Sequence, residues 1–263
     1  MSRLTNPAIY ADAQLPLLFA HRGYSSRAPE NTLAAFKAAR DAGVPGIELD
    51  VHRCASGELV VIHDHNLKRL SGSDGVVEEQ EWRSLKSLDV GSSFREEFKG
   101  EGIPLLEEVF EALGDSVYYD IEIKNEGDEV GPLERDLVDL IHSRGLESRA
   151  LVSSFNPYTI RMVKAIDPQL PTAIIYSSDR SVPFPLRHGE GRFISHCDVL
   201  KPSKKKMKPW PLFINQMLMG YPVLTWTVDS PELASRILKF NFSGIISNDP
   251  GPMLELPEYS HLK

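Results

Sequence analysis

From Leu17 to Ser247 the sequence alternates between short runs rich in Ile, Val, Leu, Phe and Tyr and segments whose apolar residues recur at helical spacing. The runs predict strands at Leu17–Ala20, Gly46–His52, Leu59–Ile62, Val117–Ile123, Ala150–Ser153, Thr172–Tyr176, Phe193–Val199, Val223–Val228 and Gly244–Ser247. Asn31 or Thr32 caps a predicted helix that carries Leu33, Phe36 and Ala39 and stops at Gly43. Further helices are predicted at Leu105–Leu113, Val130–Arg144, Tyr158–Ile166, Pro211–Met219 and Pro231–Lys239. Strand then helix, repeated about eight times, predicts a parallel sheet, because parallel neighbours need a crossover and a helix supplies it. At 263 residues a closed TIM-type (β/α)8 barrel fits this pattern better than an open doubly wound sheet. The open sheet would carry a Gly-rich nucleotide loop after its first strand, and the sequence has none there. The stretch from Asn66 to Gly102 breaks the rhythm, being polar and only weakly helical, so it reads as an insertion of about 66–102 after the second strand unit of one domain spanning 1–263.

Charge and cysteine usage exclude several function classes. A net charge of -8 opposes general attraction to nucleic acid or anionic membrane, so no nucleic-acid partner is expected. Cys54 and Cys197 lie far apart and fit neither a disulfide scaffold nor a Cys-rich zinc site, which makes buried thiols in a reducing compartment the expectation. The first apolar run, Leu15–Ala20, is shorter than a secretory apolar region of about 7 residues. No run approaches the 18 or so apolar residues of a membrane span, so a cytoplasmic protein is expected. Oligomeric state is not legible.

Polar residues fall at the strand ends. Residues two apart share a face of a strand, so Glu48 and Asp50 point one way while Ile47, Leu49 and Val51 point the other. The same parity aligns Asp120, Glu122 and Lys124 opposite Ile121 and Ile123. In a barrel the outer face is covered by helices, which sends the carboxylates inward toward the catalytic rim. Clustered carboxylates repel one another unless cations neutralise them. A divalent metal is the simplest remedy, and an oxygen-rich trio of Glu48, Asp50 and Glu122 suits Mg²⁺, Ca²⁺ or Mn²⁺. The alternative is an internal ion network in which these acids pair with Lys124 and Arg22. His21 and His63 each follow a strand end, and imidazole titrates near neutral pH, so the two read as an acid and base pair. Arg22 offers a planar fork for phosphate oxygens and Lys124 a second cation, pointing to an anionic phosphoester as substrate.

The runs His21–Arg22–Gly23, Pro29–Glu30–Asn31–Thr32, Glu48–Leu49–Asp50–Val51, Val61–Ile62–His63–Asp64 and Ile121–Glu122–Ile123–Lys124, in that order, resemble the signature of the glycerophosphodiester phosphodiesterase family. Weaker similarity continues through Asp89–Val90–Gly91, Ser154–Phe155, Thr225–Trp226–Thr227–Val228 and Asn248–Asp249–Pro250, and so covers nearly the whole chain. The resemblance implies a TIM-type barrel with a small insertion. It also implies Glu48, Asp50 and Glu122 as metal ligands, His21 and His63 as the general acid and base, and Arg22 and Lys124 as phosphate contacts. Glu30, Asn31 and Trp226 would be rim or supporting residues, with Trp226 equally readable as a packed barrel residue. Leu70–Ser71 departs from the Thr-Thr pair that many family members carry.

These residues together point to metal-assisted hydrolysis of a glycerophosphodiester to glycerol 3-phosphate and an alcohol. Three alternatives stand beside it. Lysophospholipase D or phosphoinositide-type phospholipase chemistry would need an apolar rim, for which Phe184, Trp210 and Phe213 are the candidates. A catalytically silent phosphate-binding barrel would show a lost ligand or histidine, and a carboxylate glycosidase would leave both histidines unused. A lysine run, Lys201, Lys204, Lys205, Lys206 and Lys208, follows the sixth main predicted strand and is expected on a rim loop, where it would either be merely solvated or steer an anionic substrate.

Overall fold

The computed structural model describes residues 13–125, 131–180, 182–206, 219–240 and 242–262. Nine strands form one sheet: β1 (Leu17–His21), β2 (Gly46–Arg53), β3 (Leu59–Val61), β4 (Tyr118–Ile123), β5 (Ala150–Ser154), β6 (Thr172–Tyr176), β7 (Val199–Pro202), β8 (Leu224–Thr225) and β9 (Gly244–Ser247). Eight of them run parallel in the order β7-β6-β5-β4-β2-β1-β9-β8. Parallel bridges from Leu200 to Val223 and from Ser203 to Trp226 join the two ends, which makes the sheet a nearly closed barrel.

Helices α1 (Leu33–Asp41), α2 (Leu106–Leu113), α3 (Pro132–Ser143), α4 (Pro157–Ile166) and α5 (Pro231–Leu238) alternate with the strands. Their starts follow the capping residues: Thr32 accepts from the Ala35 amide, Asn156 from Tyr158 and Ser230 from Leu233, each satisfying a backbone donor that the first helical turn leaves open. Strand parity then divides the apolar residues in two. Ile47, Leu49, Val51, Tyr119, Ile121 and Ile123 face outward and pack with Phe36, Phe110, Leu137 and Ile160. Leu17, Phe19, Tyr118, Leu151, Ala173, Val199, Leu224 and Ile246 fill the barrel interior below the polar layer. Truncating a buried Leu or Ile of this layer to Ala costs about 2–5 kcal/mol.

Three strand and helix expectations need correction or placement. The Leu59–Val61 run is not a rung of the parallel barrel: it pairs antiparallel with β2, Val51 against Val61. Only residues 54–58 separate the two strands, too few for the crossover that a parallel pair requires. The strand predicted at Phe193–Val199 begins where that prediction ends. Arg192–Ser195 is a helical turn, His196 follows with a positive φ of 53°, and β7 starts at Val199. Apolar Phe193 and Ile194 resemble a strand in composition, but Phe193 is 62% exposed and carries no sheet pairing. The helix predicted at Pro211–Met219 lies almost wholly outside the described residues. Within the predicted insertion, short helical turns at Lys68–Ser71 and Trp82–Leu85 surround their own apolar cluster, in which Leu67, Val77, Leu85 and Val90 pack on Val60 and Ile62.

Candidate active site

The mouth of the barrel is built from residues that follow the apolar layer on the same inward faces. β2 contributes Glu48 and Asp50, β4 contributes Asp120 and Glu122, and all four carboxylates are buried. One carboxylate oxygen each from Glu48, Asp50 and Glu122 lies within 4.8 Å of the others. Burial and the neighbouring charge of Asp50 push Glu48 well above the usual carboxylate range. Asp50, by contrast, is held far below it despite burial, because Lys124 and Arg22 flank it. Lys124 Nζ stands 3.0 Å from Asp50 Oδ1 and 2.5 Å from Glu122 Oε1, and Arg22 Nε is 3.3 Å from Asp50 Oδ2. Burial opposes the charge on Lys124, yet these two carboxylates raise its pKa above that of a free lysine.

Lys201 supplies a third cation. It was expected on the rim loop, but β7 begins late, so Val199 and Lys201 both face inward, and Lys201 is 2% exposed. Its Nζ lies 2.7 Å from Asp120 Oδ2, 4.0 Å from Glu48 Oε1 and within hydrogen-bond reach of Ser153 Oγ at 3.0 Å. Ser153 Oγ in turn donates to Asp120 Oδ1 at 2.8 Å. The polar layer therefore has two tiers: Asp120, Ser153 and Lys201 beneath, Asp50, Glu122, Lys124 and Arg22 above, with Glu48 between them. The internal ion network weighed from sequence is present, and it contains Lys201 as well as Lys124 and Arg22. Among the described residues, these four carboxylates face the three cations Arg22, Lys124 and Lys201, and Glu48 is the least compensated. This imbalance, with all-oxygen donors, fits a hard divalent cation at Glu48, Asp50 and Glu122.

The turn after β1 shapes the rim. Arg22 and Asn31 adopt positive φ, 56° and 57°, a conformation that non-glycine residues rarely take and that persists where the surroundings over-determine it. Here the Arg22 amide donates to Glu48 Oε2 at 3.0 Å, and Asn31 donates from Nδ2 to Asp50 Oδ2 at 2.8 Å while its own amide donates to the Arg22 carbonyl. Gly23 sits against α1, where a Cβ would come within 2.7 Å of the Ala35 backbone; with φ at 77°, glycine alone fits.

The two histidines arrive by different routes. His21 ends β1, with Nε2 3.9 Å from Glu48 Oε2 and Nδ1 2.6 Å from Asn248 Oδ1. Asn248 Nδ2 donates to Asp229 Oδ2 at 3.1 Å, which fixes the amide so that its oxygen faces His21. The proton of neutral His21 then sits on Nδ1, leaving the Nε2 lone pair toward the carboxylates. Burial and the charge of Arg22 push His21 down to about 4. His63 comes from the descending strand β3: Ile62 donates to the Asp50 carbonyl, so His63 enters at the level of Asp50 from above. Its Nδ1 lies 2.6 Å from Asp64 Oδ1, and Asp64, Arg69, Glu30 and Arg22 continue as a chain of ion pairs back to Asp50. Burial lowers the pKa of His63 as well, against the opposing pull of Asp50.

The structure thus brings Glu48, Asp50, Glu122, Arg22, Lys124, Asn31, Glu30, His21 and His63 into one connected array. Trp226 is differently engaged: its indole Nε1 donates to the Lys201 carbonyl at 3.0 Å and its ring meets Phe155 edge-on at 5.8 Å. Asn248, Asp229, Asp64, Arg69 and Lys201 were not singled out for these roles from sequence. Asp64 and Asn248 lie in runs that carry the family resemblance, and Lys201 carries a periodic signal, its two-residue spacing from Val199, which the misplaced strand conceals. Of the rim lysines, Lys204 and Lys205 are exposed on a helical turn after β7, Lys206 is half-buried, and Lys208 lies outside the described residues.

The profile of the Glycerophosphoryl diester phosphodiesterase family matches residues 21–252. A glycerophosphodiester phosphodiesterase of Caldanaerobacter subterraneus subsp. tengcongensis is 37% identical over 248 residues, covering 91% of this chain and 97% of that protein. Among solved structures, a phosphodiesterase of Oleispira antarctica in complex with the product sn-glycerol-3-phosphate matches with a TM-score of 0.77 at 28% identity, over 90% of this chain and 94% of its own. A glycerophosphodiester phosphodiesterase of Agrobacterium tumefaciens shares the fold with a TM-score of 0.77 at 23% identity, over 92% of this chain and 100% of its own. Matched along nearly its whole length in sequence and in fold, the chain belongs to the glycerophosphoryl diester phosphodiesterase family.

Proposed function

We propose that this chain hydrolyses glycerophosphodiesters to glycerol 3-phosphate and an alcohol, using a divalent cation, Mg²⁺, Ca²⁺ or Mn²⁺, held by Glu48, Asp50 and Glu122. The observation that carries this reading is the meeting, at one barrel mouth, of three buried carboxylates with two imidazoles and the paired cations Arg22 and Lys124. Bound there, the cation supplies charge neutralisation at a phosphate oxygen and a lowered pKa for the nucleophile. The chain's own residues do the rest. Arg22 and Lys124 take the remaining phosphate oxygens, exchanging part of their pairing with Asp50 for the ligand. His21, unprotonated on Nε2 at neutral pH, accepts the proton of the attacking oxygen, either water directly or the glycerol's own adjacent hydroxyl, in which case water then opens the cyclic phosphate. His63, whose imidazolium form Asp50 and Asp64 favour against burial, protonates the leaving alkoxide. Asn31 holds Asp50, and Glu30 holds Arg22 in register.

A coupled assay for glycerol 3-phosphate release from glycerophosphocholine, glycerophosphoethanolamine, glycerophosphoglycerol and glycerophosphoinositol tests the reading. Lysophosphatidylcholine serves as the lipid arm, read by choline release because its other product is a lysophosphatidic acid, since Phe184 on the segment after β6 is 73% exposed. Turnover of at least one water-soluble diester, faster than of the lysolipid, is the expected outcome. Turnover of the lysolipid alone would favour lipid hydrolysis, and no turnover of any diester with any of the three cations would contradict hydrolysis here.

A further inference from the structure

A second cluster of metal-type donors lies apart from the carboxylate trio. His52, on β2, is fully buried; His65 follows the His63–Asp64 pair; Glu78 belongs to the helical turn Val77–Glu79 in the predicted insertion. One nitrogen of each imidazole and one oxygen of Glu78 lie within 4.8 Å of one another. Both Nδ1 atoms stand 2.6 Å from the same oxygen, Glu78 Oε1, and the two rings meet edge-on at 4.7 Å.

The hydrogen bonds constrain what sits at the centre. His52 Nε2 lies 3.2 Å from the backbone carbonyl of His63, and a carbonyl can only accept, so Nε2 carries a proton. Neutral His52 then has a lone pair on Nδ1, aimed at a carboxylate oxygen that is also all lone pair. Something positive has to lie between them. A metal ion at this point would take the His52 and His65 Nδ1 atoms and the Glu78 oxygen together. An Nε2–H held by a backbone carbonyl, with Nδ1 left to coordinate, is how a ligating histidine is oriented. Independently, Glu78 Oε2 is buried and accepts no hydrogen bond among the described residues, leaving a second donor atom at the site.

We propose that His52, His65 and Glu78 form a zinc site that is separate from the acidic cluster and structural in effect. Two imidazole nitrogens and one carboxylate suit Zn²⁺ better than Mg²⁺ or Ca²⁺, which prefer oxygen-only shells. Tetrahedral ligation at about 2.0–2.1 Å needs donors about 3.3 Å apart, so each Nδ1–Oε1 contact opens by less than an ångström to admit the ion. A cavity of about 530 Å³, lined among others by His65, Glu78 and Lys124, leaves room for a water as the fourth ligand. The three donors come from a barrel strand, the segment after β3 and the predicted insertion. The ion would therefore staple that insertion to the barrel and, through His52 Nε2, fix the backbone that presents His63.

The test is zinc binding to chelator-stripped protein in excess Mg²⁺, read by metal analysis and by the intense visible absorption of four-coordinate Co²⁺ as surrogate. His65→Gln and Glu78→Gln alter half-buried side chains, so they are the variants to use; circular dichroism checks their folding. The wild type and an acidic-site variant, Glu48→Gln/Asp50→Asn, are expected to retain one tight equivalent of zinc and the Co²⁺ spectrum. Each of the two cluster variants is expected to bind that equivalent more than about 100-fold more weakly and to lose the rise in melting temperature that added zinc gives the wild type. Folded cluster variants that keep wild-type zinc affinity would overturn the proposal, as would loss of the tight equivalent in the acidic-site variant alone. Either result is independent of whether any diester is hydrolysed.

Discussion

Asn248 Oδ1 accepts the Nδ1 proton of His21 across 2.6 Å, joining the end of the last barrel strand to the end of the first. The contact fixes which ring nitrogen faces the carboxylates and helps to keep a buried imidazole in place. Replacing the amide by a carboxylate, Asn248→Asp, stabilises the imidazolium and raises the pKa of His21 by about one to three units. Activity that needs unprotonated His21 falls, in the wild type, as pH drops through about 4; in the variant the acid limb moves upward by the same shift. A pH-rate profile of kcat checks this. The sign for stability is the same: the folded pKa lies below the unfolded value of about 6.5, so this group costs stability as pH falls from about 6.5 toward 4.

Lys201 stands between Asp120 and Glu48 with almost no access to water. Removing its charge leaves two buried carboxylates without their lower cation. Lys201→Met is expected to destabilise the fold by about 3–5 kcal/mol, measured by urea unfolding. Adding Asp120→Asn should restore a large part of that loss, because the amide no longer needs a cation. A double variant no more stable than Lys201→Met alone would mean that the lysine acts through packing.

Lys124 and Arg22 share Asp50 but differ in shape. As phosphate contacts, Lys124→Met and Arg22→Met are each expected to raise KM at least about tenfold. Arg22→Lys should recover little of the loss, since an ammonium cannot reproduce the planar fork. Steady-state kinetics with saturating cation would show it, and wild-type KM in Arg22→Lys would contradict a bidentate role.

The exposed lysines after β7 give a weaker, salt-dependent effect. Lys204 and Lys205 sit on the rim of a protein of net charge -8. Lys204→Ser/Lys205→Ser is expected to lower kcat/KM at low ionic strength and leave kcat near wild type, with the difference vanishing once the Debye length falls below about 8 Å. Equal kcat/KM for the two proteins at low salt would show a merely solvated turn.

Much of the site was legible because strand parity is rigid: once Ile47, Leu49 and Val51 face the helices, Glu48 and Asp50 have to face inward, and Asp120 and Glu122 follow on β4. Parity fails where strand boundaries are misjudged. Phe193 and Ile194 look like strand residues, and placing the strand there put Lys201 in a loop when it occupies the barrel interior. His63 was expected at the rising end of a strand, yet the short turn 54–58 reverses the chain and delivers it from above. Partners joined only by tertiary contact, such as Asn248 with His21 or Arg69 with Asp64 and Glu30, leave no periodic trace in sequence.

Diester hydrolysis is proposed to depend on a divalent cation held by Glu48, Asp50 and Glu122. The most direct measurement is glycerol 3-phosphate release as a function of free Mg²⁺, Ca²⁺ or Mn²⁺, from exhaustively chelated wild type and from Asp50→Asn, with circular dichroism confirming the fold of both. Expected are no release without cation, saturable recovery in the wild type with at least one of the three ions, and a loss of more than about 100-fold in cation affinity for Asp50→Asn. Full turnover by the chelated wild type, or an unchanged cation dependence in Asp50→Asn, would contradict it.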